Sequence, residues 1–153
     1  MSDLEVKIVK LEALRVICFN GYGQGPERMA MDKLFTWAKA HGKSGRVFGY
    51  NNPNPAPGSP NYGYDAWMVV DNSVQPEGEA RIIDFPGGLY AVARCVVSDP
   101  GQEIPETWQK LVRWRENSRY QQASHQWLEE QIQPQEAPAS ENFVLDLYLP
   151  VRE

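Results

Sequence analysis

The chain repeats itself, and a repeat limits the possible fold more than any other feature of the sequence. Lys33-Leu34-Phe35-Thr36-Trp37 returns 77 residues later as Lys110-Leu111-Val112-Arg113-Trp114, and Cys18 and Cys95 stand at the same spacing. Asp65-Ala66-Trp67 is matched 81 residues on by Asp146-Leu147-Tyr148, and Lys7-Ile8-Val9 is matched 74 residues on by Arg81-Ile82-Ile83. Each match is short. Together they keep their order with slowly drifting spacing, as a duplicated unit would. The 153 residues then form a single domain of two pseudo-repeat halves, about 1–75 and 76–153.

Both halves read alike. Val6–Leu11 and Leu14–Asn20 are apolar, β-branched runs and predict strands. Pro26 suits a helix first turn, Met29, Ala30, Lys33, Leu34, Trp37, Ala38 and His41 follow helical spacing, and Gly42 ends it. Val47–Asn51 and Tyr64–Val70 are the next strands. The second half gives strands Ala80–Phe85 and Leu89–Val97, a helix from Pro105 to about Asn117, and strands His125–Ile132 and Phe143–Val151. The expected fold is α+β, with tandem strand–strand–helix–strand–strand units and antiparallel sheets. Both helices would lie on one side, and the other side would form a concave ligand groove. Two polar loops interrupt the repeat. Asn51–Asn61 holds four prolines and reads as a stiff surface excursion or a rim over the groove, and Gln133–Glu141 holds Pro134 and Pro138.

Composition removes several classes of function. A net charge of -5 argues against nucleic-acid binding, which needs a basic face to neutralise phosphates. The N-terminus has no apolar h-region, and no run approaches the ~18–20 apolar residues of a membrane helix, so a soluble cytoplasmic protein is expected. Cys18 and Cys95, each in a strand-like run, read as buried free thiols. The only histidines, His41 and His125, belong to no cluster with metal-ligand spacing, so neither a metal nor another cofactor is expected. No Ser/His/Asp order, nucleophile elbow or phosphate loop occurs. What stands out is the aromatic content of five Trp, seven Tyr and five Phe.

Strand parity sorts those rings, because alternate side chains point to opposite faces. Ala66 and Met68 suit a helix-covered core, which turns Asp65 and Trp67 to the groove. Leu145, Leu147 and Leu149 go inward, which turns Asp146 and Tyr148 outward. Small Ala91, Ala93 and Cys95 would let the helix approach, leaving Tyr90, Val92 and Arg94 on the groove face. Leu128 and Ile132 suit the core, so Trp127 and Glu129 would join the groove. The candidate ligand-binding set is therefore Trp67, Tyr90, Trp127, Glu129, Tyr148 and Asp65, with Asp146 and Arg94 nearby. Rings desolvate and stack on an aromatic guest, and a carboxylate among them favours a positive one.

The segment Arg81-Ile82-Ile83-Asp84-Phe85-Pro86-Gly87-Gly88-Leu89-Tyr90-Ala91-Val92-Ala93 resembles the Gly-Gly-x-Tyr-Ala-Val region of GyrI-like proteins. These small-molecule-binding modules also serve as effector-binding domains of AraC-type and MerR-type multidrug regulators. Trp127-Leu128-Glu129 is similar to the place of that family's ligand-facing glutamate, and Asp146–Val151 resembles its closing strand. The resemblance covers nearly the whole chain and implies a tandem two-unit fold. The two units account for the residues, so no helix-turn-helix DNA-binding domain is expected. Ser59–Trp67 and Ser124–Glu130 look closer to the branch of cyclopropanoid cyclopropyl hydrolases, although Asp65 and Ala66 stand where a Glu and an aromatic are expected.

Three functions follow from the resemblance. The first is binding of lipophilic, flat aromatic and cationic xenobiotics, for sequestration or protection. The second is hydrolysis of a strained cyclopropane, with Glu129 as the catalytic base. The third is inhibition of a protein partner such as DNA gyrase.

Overall fold

The computed structural model describes residues 4–52, 54–132 and 143–153. The loop Gln133–Glu141 lies outside them. The elements run β1 (Val6–Leu11), β2 (Leu14–Gly23), α1 (Pro26–His41), β3 (Val47–Asn51), β4 (Tyr62–Val69), β5 (Arg81–Phe85), β6 (Gly88–Val97), α2 (Pro100–Glu116), β7 (Gln121–Gln122), β8 (Leu128–Gln131) and β9 (Phe143–Arg152). The fold is α+β and mostly sheet, and its strand pairs within each unit are antiparallel. No described helix is long and apolar enough to cross a membrane.

The chain divides into two compact units. One is Leu14–Phe85; the other joins Met1–Ala13 to Pro86–Glu153. The cut differs from a division near residue 75, because β1 pairs with β6 and β5 pairs with β2. Each unit thus takes its outermost strand from the far side of a short connection.

In the unit Leu14–Phe85 the strand order is β3–β4–β2–β5. Helix α1 covers one face. Ala30, Leu34, Trp37 and Ala38 pack on Ile17 and Phe19 of β2 and on Ala66 and Met68 of β4. The helix ends as its sequence predicts. Gly42 takes a left-handed conformation (φ 63°), which a glycine adopts without strain, and its N–H reaches back to Ala38 and Lys39 carbonyls. Cys18 lies on the face away from α1, beside Asp65 and Arg81.

In the other unit the order is β1–β6–β9–β8, with β7 on the end of β9. Leu111 of α2 packs on Ala91, Ala93, Cys95 and Val97 of β6 and on Leu145, Leu147 and Leu149 of β9. Helix α2 begins at Pro100, so Pro105 lies inside it and not at its start. The entry is secured by Glu103, whose carboxylate accepts backbone N–H groups of Ser98 and Asp99. That contact holds the Glu103 carboxyl below its ordinary value. The Gly87-Gly88 pair has a steric reason. Gly87 sits at φ 82°, and a Cβ there would lie 2.2 Å from the Leu11 carbonyl oxygen. A Cβ on Gly88 would lie 2.7 Å from the His125 ring, which hydrogen-bonds the Leu89 carbonyl (2.7 Å) and meets Tyr90 edge-on.

The strand pairings inside one unit correspond to those inside the other. Laying β2 on β6 with a shift of 74, β4 on β9 with 81 and β3 on β8 with 80 turns Asn20↔Asp65 and Tyr50↔Asp65 into Arg94↔Asp146 and Glu130↔Asp146. The spacing of 77 that aligns the cysteines does not preserve the ladders. Cys18 faces away from its helix and Cys95 packs beneath its own. Both are free and buried.

Candidate functional site

The expected site residues fall into three clusters. The first is in the unit Leu14–Phe85, on the sheet face away from α1. Asp65 is fully buried, and its carboxylate accepts from Asn20 Nδ2 (2.7 Å), Asn52 Nδ2 (2.8 Å) and Arg81 Nη2 (3.3 Å). The Asn52 contact ties the start of the proline-rich loop to the sheet. Trp67 lies beside it with only 2% of its surface exposed, edge-on to Tyr50 (5.1 Å between centroids) and tilted against Phe85 (5.3 Å). The cluster is electrically closed: the buried carboxylate is matched by Arg81 and two amides. Burial and the Asp65 charge push the Cys18 thiol up to about 12 and raise the Tyr50 phenol above its ordinary value.

The second cluster lies in the other unit, on the face away from α2. Tyr90 is fully buried, donates to the Gln126 carbonyl (2.5 Å), and sits edge-on to Tyr148 (5.4 Å). Tyr148 donates to Glu130 Oε1 (2.6 Å), with Glu130 itself 8% exposed. Arg94 closes this face with a two-pronged pair to Asp146 (2.9 and 3.2 Å). These rings and the Glu130 acid are packed away from solvent.

The third cluster corrects the parity expectation. Glu129 pairs with Leu147, whose side chain lies under α2, whereas Glu130 pairs with Asp146 on the opposite face. Glu129 and Trp127 therefore stand on the helix side, away from Tyr90 and Tyr148. The strand begins only at Leu128, and Leu128 is buried against the face bearing Tyr148, not beneath the helix. There Trp127 tilts against Trp108 of α2 (5.1 Å between centroids, 49°), and Trp108 Nε1 donates to Glu129 Oε2 at a long 3.4 Å. Trp127 is 36% exposed, and Trp108 and Glu129 are half-buried.

Trp108 is a site residue absent from the set that strand parity selects, because it stands on a helix. Helical spacing groups it with Leu111 and Val112, and only the placement of α2 over its own unit's strands brings it to Trp127. The result is one exposed indole, Trp127, set against a half-buried one, Trp108, with the Glu129 carboxylate at their edge. Such an arrangement can stack a flat ring and attract a cation by both ring quadrupole and charge. Among the described residues no group of three or more His, Cys, Asp or Glu side chains is placed to hold a metal ion.

Comparison with known proteins fits this architecture. The model of the GyrI-like small molecule binding domain matches residues 4–152, and the chain belongs to that family. Solved structures share the fold at low identity. The isolated EcmrR C-terminal domain superposes with a TM-score of 0.66 at 13% identity, covering 98% of each chain. In an EcmrR–DNA complex the match reaches 0.71 at 11% identity over 97% of this chain, which spans only 57% of that protein's length. SAV2435 bound to tetraphenylphosphonium gives 0.56 at 10% identity (97% of this chain, 94% of that one), and a hydrolase from Listeria innocua gives 0.63 at 9% (99% and 94%). No curated protein matches the sequence.

Proposed function

We propose that the protein binds lipophilic, flat aromatic molecules, cations above all, at Trp108, Trp127 and Glu129, and so sequesters them or presents them to a partner. One observation carries the reading: Glu129 is a half-buried carboxylate at the edge of an exposed indole, Trp127, which leans on a half-buried one, Trp108. A cation over an indole gains roughly 0.5–2 kcal/mol, more as water is excluded. Membership of a small-molecule-binding family supports the class of function, and SAV2435, of the same fold, is solved with a lipophilic aromatic cation. Trp67, Asp65, Tyr90 and Tyr148 are sealed, so in this reading they hold the scaffold and the guest meets Trp127 first, with Trp108 and Glu129 beside it.

Calorimetry with tetraphenylphosphonium and with neutral triphenylphosphine oxide tests the charge argument. Glu129→Gln is expected to weaken the cation about tenfold, some 1.4 kcal/mol, and the neutral molecule less than twofold. Equal losses for the two would defeat it.

The same placement favours one second reading, hydrolysis of a strained electrophile. Glu129 is near enough to rings that would hold such a guest to take a proton from attacking water. A cyclopropane-bearing alkylator incubated with the protein should then give ring-opened product faster than in buffer, and Glu129→Gln should abolish the excess. A rate equal to buffer with binding retained leaves binding alone.

A further inference from the structure

A cavity of about 370 Å³ opens in the unit that carries α2, and neither Trp108 nor Trp127 lines it. It is lined by Leu4, Glu5, Lys7, Val92, Arg94, Lys110 and Asp146. That volume falls in the range of small-ligand sites. Its charge is opposite to that of the protein: three cations face two acids, in a chain of net charge -5. The accounting within it leaves positive charge unspent. Arg94 and Asp146 satisfy each other (2.9 and 3.2 Å), which leaves two cations, Lys7 and Lys110, against one acid, Glu5. Lys110 has its nearest acid, Glu106, at 3.4 Å on the solvent side of its own helix, a pair of little strength. Lys7 makes no ion pair within 4 Å among the described residues.

Lysines on an edge strand such as β1 also discourage edge-to-edge pairing, and that would account for Lys7 alone. It does not account for cations from β1, β6 and α2 converging on one hollow, with Leu4 and Val92 as an apolar wall. We propose that this cavity is a second ligand site, for a small organic anion whose carboxylate or phosphate meets Lys7 and Lys110 and whose apolar body lies on Leu4 and Val92. A molecule with this chemistry is the opposite in charge to the guest of the indole site, so the two sites would not compete.

Calorimetry at low ionic strength with hexanoate and, separately, inorganic phosphate tests this. Saturable binding of either is expected, with hexanoate alone marking a carboxylate site and phosphate alone a phosphate site. The exposed pair Lys7→Gln and Lys110→Gln together should weaken it at least tenfold, in a variant whose melting temperature shows it folded. The bound anion should stay bound when tetraphenylphosphonium is added to saturation. No saturable heat with either anion, an unchanged affinity in the double variant, or stoichiometric displacement by the cation would overturn the proposal. The anion titration does not depend on the cation binding, so failure of one reading leaves the other testable.

Discussion

At one ladder position the two units make opposite choices. Glu129 of β8 pairs with Leu147, and the matching residue of β3, Gly49, pairs with Ala66, both on the side covered by a helix. In the unit Leu14–Phe85 the space over Gly49 is taken by Tyr64, whose hydroxyl lies 2.1 Å from where a Cβ would be. In the other unit Leu145 replaces that tyrosine along the matching ladder, and a carboxylate stands where the glycine does. The same ladder position thus carries a glycine under a tyrosine ring in one unit and a half-buried acid beside an indole in the other. A shared backbone does not imply shared chemistry: one residue per strand changes what stands on the side that the helix covers.

The sheet faces away from the helices differ as sharply, and there the largest effect is expected. Asp65 and Asp146 hold matching ladder positions and each meets a half-exposed arginine, but Asp65 is fully buried and held by two amides besides, whereas the Asp146 side chain keeps 16% exposure. Asp65→Ala would leave two amides and part of a guanidinium without their acceptor, at a cost of about 3–5 kcal/mol. Asp146→Ala should cost about 0–1 kcal/mol. Urea unfolding of both variants measures the gap. Similar losses would mean that the closed network around Asp65 contributes no more than a surface pair.

The ring over Gly49 is the next target. Gly49→Ala forces a methyl into the Tyr64 ring, which is 3% exposed and has no room to swing away, so a loss of about 1–3 kcal/mol is expected. Adding Tyr64→Leu, the choice the other unit makes, should recover part of that loss. If the double variant is less stable than Gly49→Ala alone, the ring is not what excludes the side chain.

These contrasts show what the sequence could and could not reveal. Helix α1, from Pro26 to the Gly42 stop, was legible because its signals are local. The spacings of 74 and 81 were legible too, and they are the shifts that superpose the ladders. The spacing of 77 misled because a helix can slide along its sheet while strand register cannot: an odd slip turns every side chain over. The same rule explains Glu129. Parity finds a core when one face is wet, but Leu128 and Leu147 are both buried, on opposite faces. With two apolar faces, alternation says which residues share a side and not which side it is. Trp108 was hidden for another reason, since its partner Trp127 lies on a different element.

The smallest effect separates the two cysteines. Burial raises both thiols, but Cys18 also feels the Asp65 charge and reaches about 12, while a hydrogen bond from Thr107 moderates the rise at Cys95. A thiol whose folded value is raised stays protonated when the unfolded chain would ionise. Its contribution to stability is full below the ordinary value of 9.0 and is lost as pH climbs towards the folded value. The melting temperature should therefore fall between pH 9 and 11, with the raised Tyr50 and Tyr90 phenols adding to the fall. Cys18→Ala should flatten that descent more than Cys95→Ala, because its proton is held more tightly. The reverse order would show that the Asp65 charge does not reach the thiol, and that burial alone governs both units.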